Sequence, residues 1–378
     1  MLPFSLASGI GSRGREEQRQ TTDEQREAWR YCSAMSAASW SEFELIARLT
    51  AGLPLGEEVV VGVGDDCAVL DLGGSRLLLL TCDSQVEGVH FTLRTSSPEE
   101  VGHKALAINL SDIAAMGGEP RYALVSLHVP RHCPLEVLEG LYAGLRQEAT
   151  AARTLIVGGN VSGTGAAETL ALDITLLGES ERGRVLTRAG ARAGDTIFVT
   201  GSPGDSAAGL YSLLDPDHPY PPAACERLRA AHRVPKPRLA EGRLLSQLGP
   251  QIVTALIDVS DGLSGDLGHI CERSGVGACI EVARLPISAE LRALAATLGR
   301  DPLAWVLHGG EDYELLFTVA PGYEEAVQAR FAAAGAAPIT PIGQVTEAAS
   351  GLRLRWPDGR EEPLPVQSWD HFASPGQH

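Results

Sequence analysis

Acidic residues recur in this chain beside glycines and at the ends of apolar runs, a pattern suited to holding a hard cation. The segment GVGDD at 62–66 puts Asp65 and Asp66 directly after an apolar run and two glycines. Thr81-Cys82-Asp83 closes a leucine-rich run, and Asp112 stands in a stretch otherwise rich in Ala, Leu, Ile and Met. Three residues before it is Asn109, so on a helix the two polar groups share a face. Later, IDVSDG at 257–262 ends an apolar run in Asp258, with Ser260 and Asp261 after it, and HGGEDYE at 308–314 places Glu311 and Asp312 behind two glycines. Each piece alone has a plain structural use: a hairpin turn for Gly64-Asp65-Asp66, a helix cap for Ser260 and Asp261. Together they raise a different question. Two carboxylates about 4 Å apart repel by roughly 4 kcal/mol at an effective dielectric of 20, so converging acids need a cation between them. Oxygen donors of this kind suit magnesium, which retains waters and phosphate oxygens in its shell. No His/Cys cluster with ligand spacing points to a redox metal. GVGDD is neither a Walker loop, lacking the following Lys-Ser/Thr, nor a dinucleotide fingerprint, because Cys67 occupies the third glycine position.

A phosphate-bearing substrate also needs cationic or N–H partners. Lys104, His90 and Arg188 are the candidates, Arg188 first because it sits near a change in sequence pattern. Gly158-Gly159-Asn160 and Gly201-Ser202-Pro203-Gly204 read as loops whose backbone N–H groups could face phosphates.

The elements that must position these groups follow from periodicity. A first helix is expected over 40–49, capped by Ser39 or Ser41. Strands are expected at 59–63, 68–72 and 77–81, with tight turns presenting the acids. Ser97-Pro98-Glu99-Glu100 is a strong helix start and Gly117-Gly118 a matching stop. Beyond it come a strand at 122–129, a helix over 134–152, and strands at 155–157 and 170–177. From Arg182 the units shorten: strand 195–200, helix 205–213, a proline-rich stretch 218–222, helices on either side of 233–238, strand 253–257, helix 260–274, strands 277–282 and 313–319, and helix 322–334. The fold class is α+β or mixed α/β in two domains.

Composition agrees. The 378 residues, 44% hydrophobic, suffice for two cores, and a net charge of -17 from 31 basic and 48 acidic residues disfavours nucleic acid. Seven scattered cysteines without a CxxC pair imply reduced thiols, no apolar run reaches the roughly 20 residues of a membrane span, and the first residues make a weak signal peptide. A cytoplasmic protein is expected, with residues 1–39 as a disordered extension.

In this order the segments GVGDDCAVL, TCDSQVEGVHF, KALAINLSDIAAMGGEP, LTRAGARAGD, VTGSPGDSAAGL, DVSDGLSGDLGHI, HGGEDYELLFT and WDHFA resemble the thiamine-monophosphate kinases, relatives of aminoimidazole ribonucleotide synthetase and selenophosphate synthetase. The match runs over about residues 40–372. It implies ATP-dependent phosphorylation of thiamine monophosphate to the diphosphate, by direct attack of the substrate phosphate on the γ-phosphorus, with several magnesium ions. It also implies a homodimer in which an N-terminal four-stranded sheet (domain 40–183) pairs across the interface, with an α/β domain (184–378) outside. Asp66, Thr81, Cys82, Asp83, Asp112, Asp258 and Asp261 fall on the family's magnesium positions. Gly159, Asn160, Arg188 and Ser260 fall on ATP positions, with Asp83, Asp112 and Arg188 at the reacting phosphates. His90, Glu311 and Phe372 fall on substrate positions. Asn160 stands where the family usually has Asp, which removes one negative charge. Cys82 replaces a common Thr or Ser, where a backbone oxygen could still serve. The alternatives are a sister enzyme with another phosphorylated product and a degenerate nucleotide-binding protein impaired at Asn160. Cys32 has no glycine-rich setting of the kind a selenophosphate synthetase would show, and the other acids are retained.

Overall fold

The protein is described by a computed structural model covering residues 41–165 and 168–367. The expected extension and Phe372 lie outside the described residues. The first element, α1 (Glu42–Thr50), starts at Ser41: its hydroxyl accepts from the Glu44 N–H while the Glu44 carboxylate accepts from the Ser41 N–H. This helix belongs to a unit separate from Leu53–Trp369.

Within Leu53–Trp369 the chain first builds a six-stranded sheet. Strands β1 (Val59–Val61), β2 (Ala68–Leu70), β3 (Arg76–Val86), β4 (Glu119–Val129), β5 (Leu155–Gly163) and β6 (Ala171–Glu181) lie in the order β1-β2-β3-β6-β4-β5. The four long strands β3 to β6 make the set the family resemblance implies; β1 and β2 are three-residue additions at the β3 edge. All neighbours are antiparallel except β4 and β5. Alternation along β3 sends Leu77 and Leu79 into the core, so Thr81 and Asp83 share that face, and Cys82 and Ser84 take the other.

Helices α2 (Pro98–Ala115) and α3 (Leu135–Ala151) cover the inner face, sharing a core with Leu79, Ile174 and Leu176. Ser97 caps α2 through a capping box with Glu100, and Pro98 opens it. The two helices approach so closely at Gly144 that a Cβ there would lie 1.9 Å from the Glu99 carbonyl oxygen. That contact fixes α2, which carries Lys104, Asn109, Ser111 and Asp112.

The second sheet contains β7 (Thr196–Thr200), β8 (Val253–Asp258), β9 (Val276–Glu281), β10 (Leu315–Val319), β11 (Ile339–Glu347), β12 (Leu352–Arg355) and β13 (Glu361–Pro363), in the order β13-β12-β9-β11-β7-β10-β8. Around it run α4 (Asp205–Leu214), α5 (Pro222–Arg233), α6 (Leu239–Leu248), α7 (Leu263–Ser274), α8 (Ala289–Leu298), α9 (Leu303–His308) and α10 (Glu324–Ala334). Ile197 and Val199 of β7 point into one core with Leu228 and Leu263. Phe198 between them points into another, stacked on Phe317 at 5.4 Å between ring centroids. Each such side chain contributes about 1.5–3 kcal/mol by leaving water. Ala114 and Ala115, the end of α2, belong to this second core. The helix therefore ties the first sheet to β8, and that places Asp112 beside Asp258.

Several boundaries differ from the sequence reading. β3 runs past the apolar stretch, because residues 81–86 continue to pair with β6. β5 continues through Gly158, Gly159 and Asn160 instead of breaking into a loop there. A Cβ at Gly159 would fall 1.8 Å from the Val125 carbonyl oxygen, so these glycines allow close strand approach. α7 begins at Leu263, not Ser260, because the Asp266 carboxylate accepts the N–H groups of Asp261 and Gly262 and ends the helix on that side. Strands β11 to β13 and helices α8 and α9 lacked a signal clear enough to anticipate.

Candidate active site

Asp66, on the turn between β1 and β2, Asp112, in the last turn of α2, and Asp258, at the end of β8, converge. One oxygen from each lies within 4.8 Å of the others. Local structure explains the convergence. Gly64, at φ +108°, turns the chain after β1. Thr81 donates its hydroxyl to Asp112, and Ser111 donates to Asp258 at 2.5 Å. Asp83 is registered by its own N–H, which donates to the Asn109 side-chain oxygen at 3.1 Å. β8 is buried along its whole length, so Asp258 is delivered by a rigid strand end.

This is an electrostatically loaded arrangement. Burial, then Asp66, raises the Asp258 pKa to about 8, although Ser111 and Arg188 work against the shift. Asp112 is pushed well above the usual carboxylate range by enclosure and by Asp83, Asp258 and Asp66. Asp65, half-buried beside Asp66, rises to about 7. Arg188 is the counterweight. Its Nη2 and Nε donate to Asp66 Oδ1 at 2.5 and 3.2 Å, and its backbone N–H donates to the Asp65 carboxylate. Burial opposes the guanidinium charge, but Asp66 and Asp65 outweigh it.

The other oxygen of Asp66, Oδ2, is buried without a hydrogen-bond partner. Buried unpaired carboxylate oxygens are costly, so this oxygen suits a cation ligand. The donor set consists of hard oxygens, and the neighbouring Cys67 thiol is pushed up by burial, away from the thiolate form that would bind a soft metal. Asp66, Asp112 and Asp258 could together hold divalent cations, with Asp83 close enough electrostatically to act on two of them.

A second cluster forms around Glu311. Its Oε1 lies 2.6 Å from Lys104 Nζ on α2, and its Oε2 lies 3.4 Å from His232 Nδ1 on α5. Burial disfavours the Glu311 charge, yet Lys104, His232 and His90 hold its pKa below the usual range. His232 itself is driven down to about 4 by burial and Lys104, so at neutral pH it meets Glu311 as a neutral ring. The backbone here is strained: Glu311 has φ 65° and Tyr313 φ 52°, left-handed values that cost non-glycine residues about 1–3 kcal/mol. Hydrogen bonds from Glu311 N to Ser260 O and from Tyr313 N to Val259 O hold the loop in place. The same loop thus touches both the Asp258 turn and Lys104.

Other expected site residues fall as follows. The side chain of Cys82 lies on the face of β3 opposite Asp83 and accepts from the Thr175 hydroxyl at 3.5 Å, which leaves its backbone as the part nearer the acids. Ser260 and Asp261 occupy the turn before α7, and Asp261 acts on the buried Asp266. His90 faces Val86, accepting its N–H at 3.1 Å through Nδ1. Asn160 is exposed on β5 opposite Ser126. The expectation of free phosphate donors at 201–204 is corrected for its two glycines: Gly201 N–H donates to the Pro338 carbonyl at 2.9 Å and Gly204 N–H to the Asp312 carboxylate at 2.6 Å. Asp65, Ser111 and Asp266 went unassigned in the sequence. Ser111 had a signal, since it stands seven residues after Lys104 in an apolar helix and so shares its face.

Comparison with known proteins bears on this site. The family AIR synthase related protein, N-terminal domain, matches residues 64–180, and AIR synthase related protein, C-terminal domain, matches 192–354. The thiamine-monophosphate kinase of Bacillus subtilis (strain 168) is 37% identical over 332 residues, 88% of this chain and 99% of the relative. That of Escherichia coli (strain K12) is 38% identical over 335 residues, with the same coverage. A solved structure of AaThiL complexed with AMPPCP and TMP superimposes with a TM-score of 0.75 at 35% identity, covering 88% of this chain and 97% of the other.

Proposed function

Since the chain belongs to the thiamine-monophosphate kinase family, we propose that its convergent acids serve the transfer of the ATP γ-phosphoryl group to thiamine monophosphate. It is an ATP-using phosphotransferase of the AIR synthase related superfamily. The observation that carries the site reading is the meeting of Asp66, Asp112 and Asp258 with an orphaned carboxylate oxygen among them. An oxygen of the thiamine monophosphate phosphate attacks the γ-phosphorus as the bond to the bridging oxygen of ADP breaks. No general base is needed, because the attacking oxygen is already ionised. What the chain must do is hold two anionic groups in line. Asp66, Asp83, Asp112, Asp258 and Asp261, with Thr81 and the Cys82 backbone, are assigned to magnesium. When bound, magnesium would offset the charge of the converging phosphates. Arg188, paired with Asp66 in this structure, is assigned to ATP phosphate, with Ser260 and the Gly159–Asn160 segment beside it. His90, Glu311 and Phe372 are assigned to thiamine monophosphate.

The rest of the proposal concerns organisation. Domains of 40–183 and 184–378 are proposed, supported by separate family matches over 64–180 and 192–354. A homodimer is favoured by the uncovered outer face and edge of the first sheet, where Tyr122, Leu124, Leu155, Val157 and Val161 are exposed. A cytoplasmic location suits the reduced cysteines, and no described helix is long and apolar enough to cross a membrane.

Purified protein given ATP, magnesium and thiamine monophosphate is expected to form thiamine diphosphate in a coupled assay. Intact ATP binding without diphosphate product would overturn the proposal in favour of a binding protein. Asn160→Asp restores the charge usual at that position, so it is expected to keep or raise activity and lower the magnesium concentration for half-maximal rate. A large loss of activity would show that the amide is suited to another task.

A further inference from the structure

Lys104 is 3% exposed, a rare state for a lysine, and the site assignments proposed above leave it without a role. Its Nζ faces Glu311 at 2.6 Å as an ion pair and makes no angularly sound hydrogen bond among the described residues. Burying an ammonium group is costly unless its partner is held in place, and here the partner sits at a strained position, φ 65°, on a loop from the other sheet's half of the molecule. His232 closes on the second carboxylate oxygen and is itself in contact with the Ser206 hydroxyl at 3.2 Å. Lys104 and Ser111 lie seven residues apart on α2, about 10 Å along one face of the helix. One end of that face meets Asp258 and the other meets Glu311.

We propose that Lys104 is a specificity-determining positioning residue: by pinning Glu311 from α2, it presets the carboxylate that receives the thiamine part of the substrate. The inference rests on the reading of Glu311 as a thiamine monophosphate ligand. Each carboxylate oxygen has two lone-pair directions. Lys104 and His232 lie against one oxygen each, at 2.6 and 3.4 Å, which fixes the carboxylate and leaves each oxygen further acceptor capacity for the N–H donors and positive ring of thiamine. The same helix carries Asp112, so the ring-binding carboxylate and the phosphate-binding acids are held at a fixed separation by a single rigid element.

The test is steady-state kinetics of the full-length protein with ATP and magnesium. Lys104→Met is expected to raise the KM for thiamine monophosphate about 10-fold or more while kcat and the KM for ATP stay within about 2-fold. Inhibition by thiamine, which lacks the phosphate, should weaken by the same factor. In the Glu311→Gln background, Lys104→Met should add no more than about 2-fold, because its effect passes through Glu311. This double variant, which leaves neither charge unpaired, carries the test if Lys104→Met alone does not fold. Multiplicative losses in the double variant, an equal rise in the KM for ATP, or unchanged thiamine inhibition would each overturn the inference in favour of a direct contact with phosphate. The premise fails separately: Glu311→Gln with an unchanged KM for thiamine monophosphate would remove Glu311 from the substrate site, whatever Lys104 does.

Discussion

Asp112→Asn is expected to lower kcat/KM about 1,000-fold, on the scale of losing one charge-stabilising group at a phosphoryl-transfer site, while making the metal-free protein more heat-stable. The two effects have one cause. Asp112 meets Asp66 and Asp258 within 4.8 Å, and its pKa is pushed well above the usual range by enclosure and by Asp83, Asp258 and Asp66. Without a cation the folded state must hold a proton there or tolerate the repulsion. Asn keeps an acceptor for the Thr81 hydroxyl and removes the charge. The pH dependence has a defined sign. Asp258 rises to about 8 and Asp65 to about 7, both above the value near 3.9 of an unfolded chain. Between about pH 4 and pH 8 the folded state therefore binds more protons than the unfolded state, and stability falls as pH rises. In EDTA the thermal midpoint should drop from pH 5.5 to pH 8, magnesium should restore it, and Asp112→Asn should flatten the pH dependence and raise the pH 8 midpoint by roughly 2 °C or more. A variant with near-normal activity, or one less stable than the parent in EDTA at pH 8, would remove Asp112 from the cation site.

How much of this was legible in the sequence depends on whether a residue's role is local. Asp66, Asp83, Asp112 and Asp258 stood out because an acid beside glycine or inside an apolar run is a local anomaly. The Ser97 cap and the Pro98 start of α2 are also local, and both occur as expected. The partners were hidden because they are set by tertiary contacts. Ser111 differs from any helical serine only by facing Asp258, 147 residues away. The Asp312 carboxylate takes the donors of Gly204 and Ser206 from more than 100 positions away, which no reading of the GSPG segment could reveal. Gly158-Gly159 misled for a related reason. Two adjacent glycines suggest a loop, but close approach to Val125 keeps them in a strand. The α7 boundary moved because the carboxylate of Asp266, inside the expected helix, accepts the N–H groups of Asp261 and Gly262 in the turn before it.

Arg188→Met is expected to shift metal-free stability in the opposite direction. Asp66 is 1% exposed at its side chain, and its Oδ1 accepts from both Nε and Nη2 of Arg188. Removing the guanidinium strips Oδ1 of its partner and leaves a buried carboxylate with neither oxygen paired by a side chain, a loss that costs about 3–5 kcal/mol when a buried ion pair is broken from one side. Lysine would not repair it, since a single ammonium cannot reproduce two donors in the guanidinium plane. Urea unfolding in EDTA should therefore show a lowered midpoint with an unchanged slope. Two second conditions separate the causes. Adding Asp66→Asn should recover most of the stability, because the stranded charge is gone. Adding magnesium to Arg188→Met should also recover it, because a cation replaces the lost one. Activity should fall about 100- to 1,000-fold in kcat/KM for ATP even at saturating magnesium, since the proposed phosphate contact is not replaced. If magnesium restored stability and activity together, Arg188 would be only the resting counterion of Asp66. If magnesium restored neither, Asp66 would not be a cation ligand, and the ion pair would be a structural brace between the β1–β2 turn and the segment leading into β7.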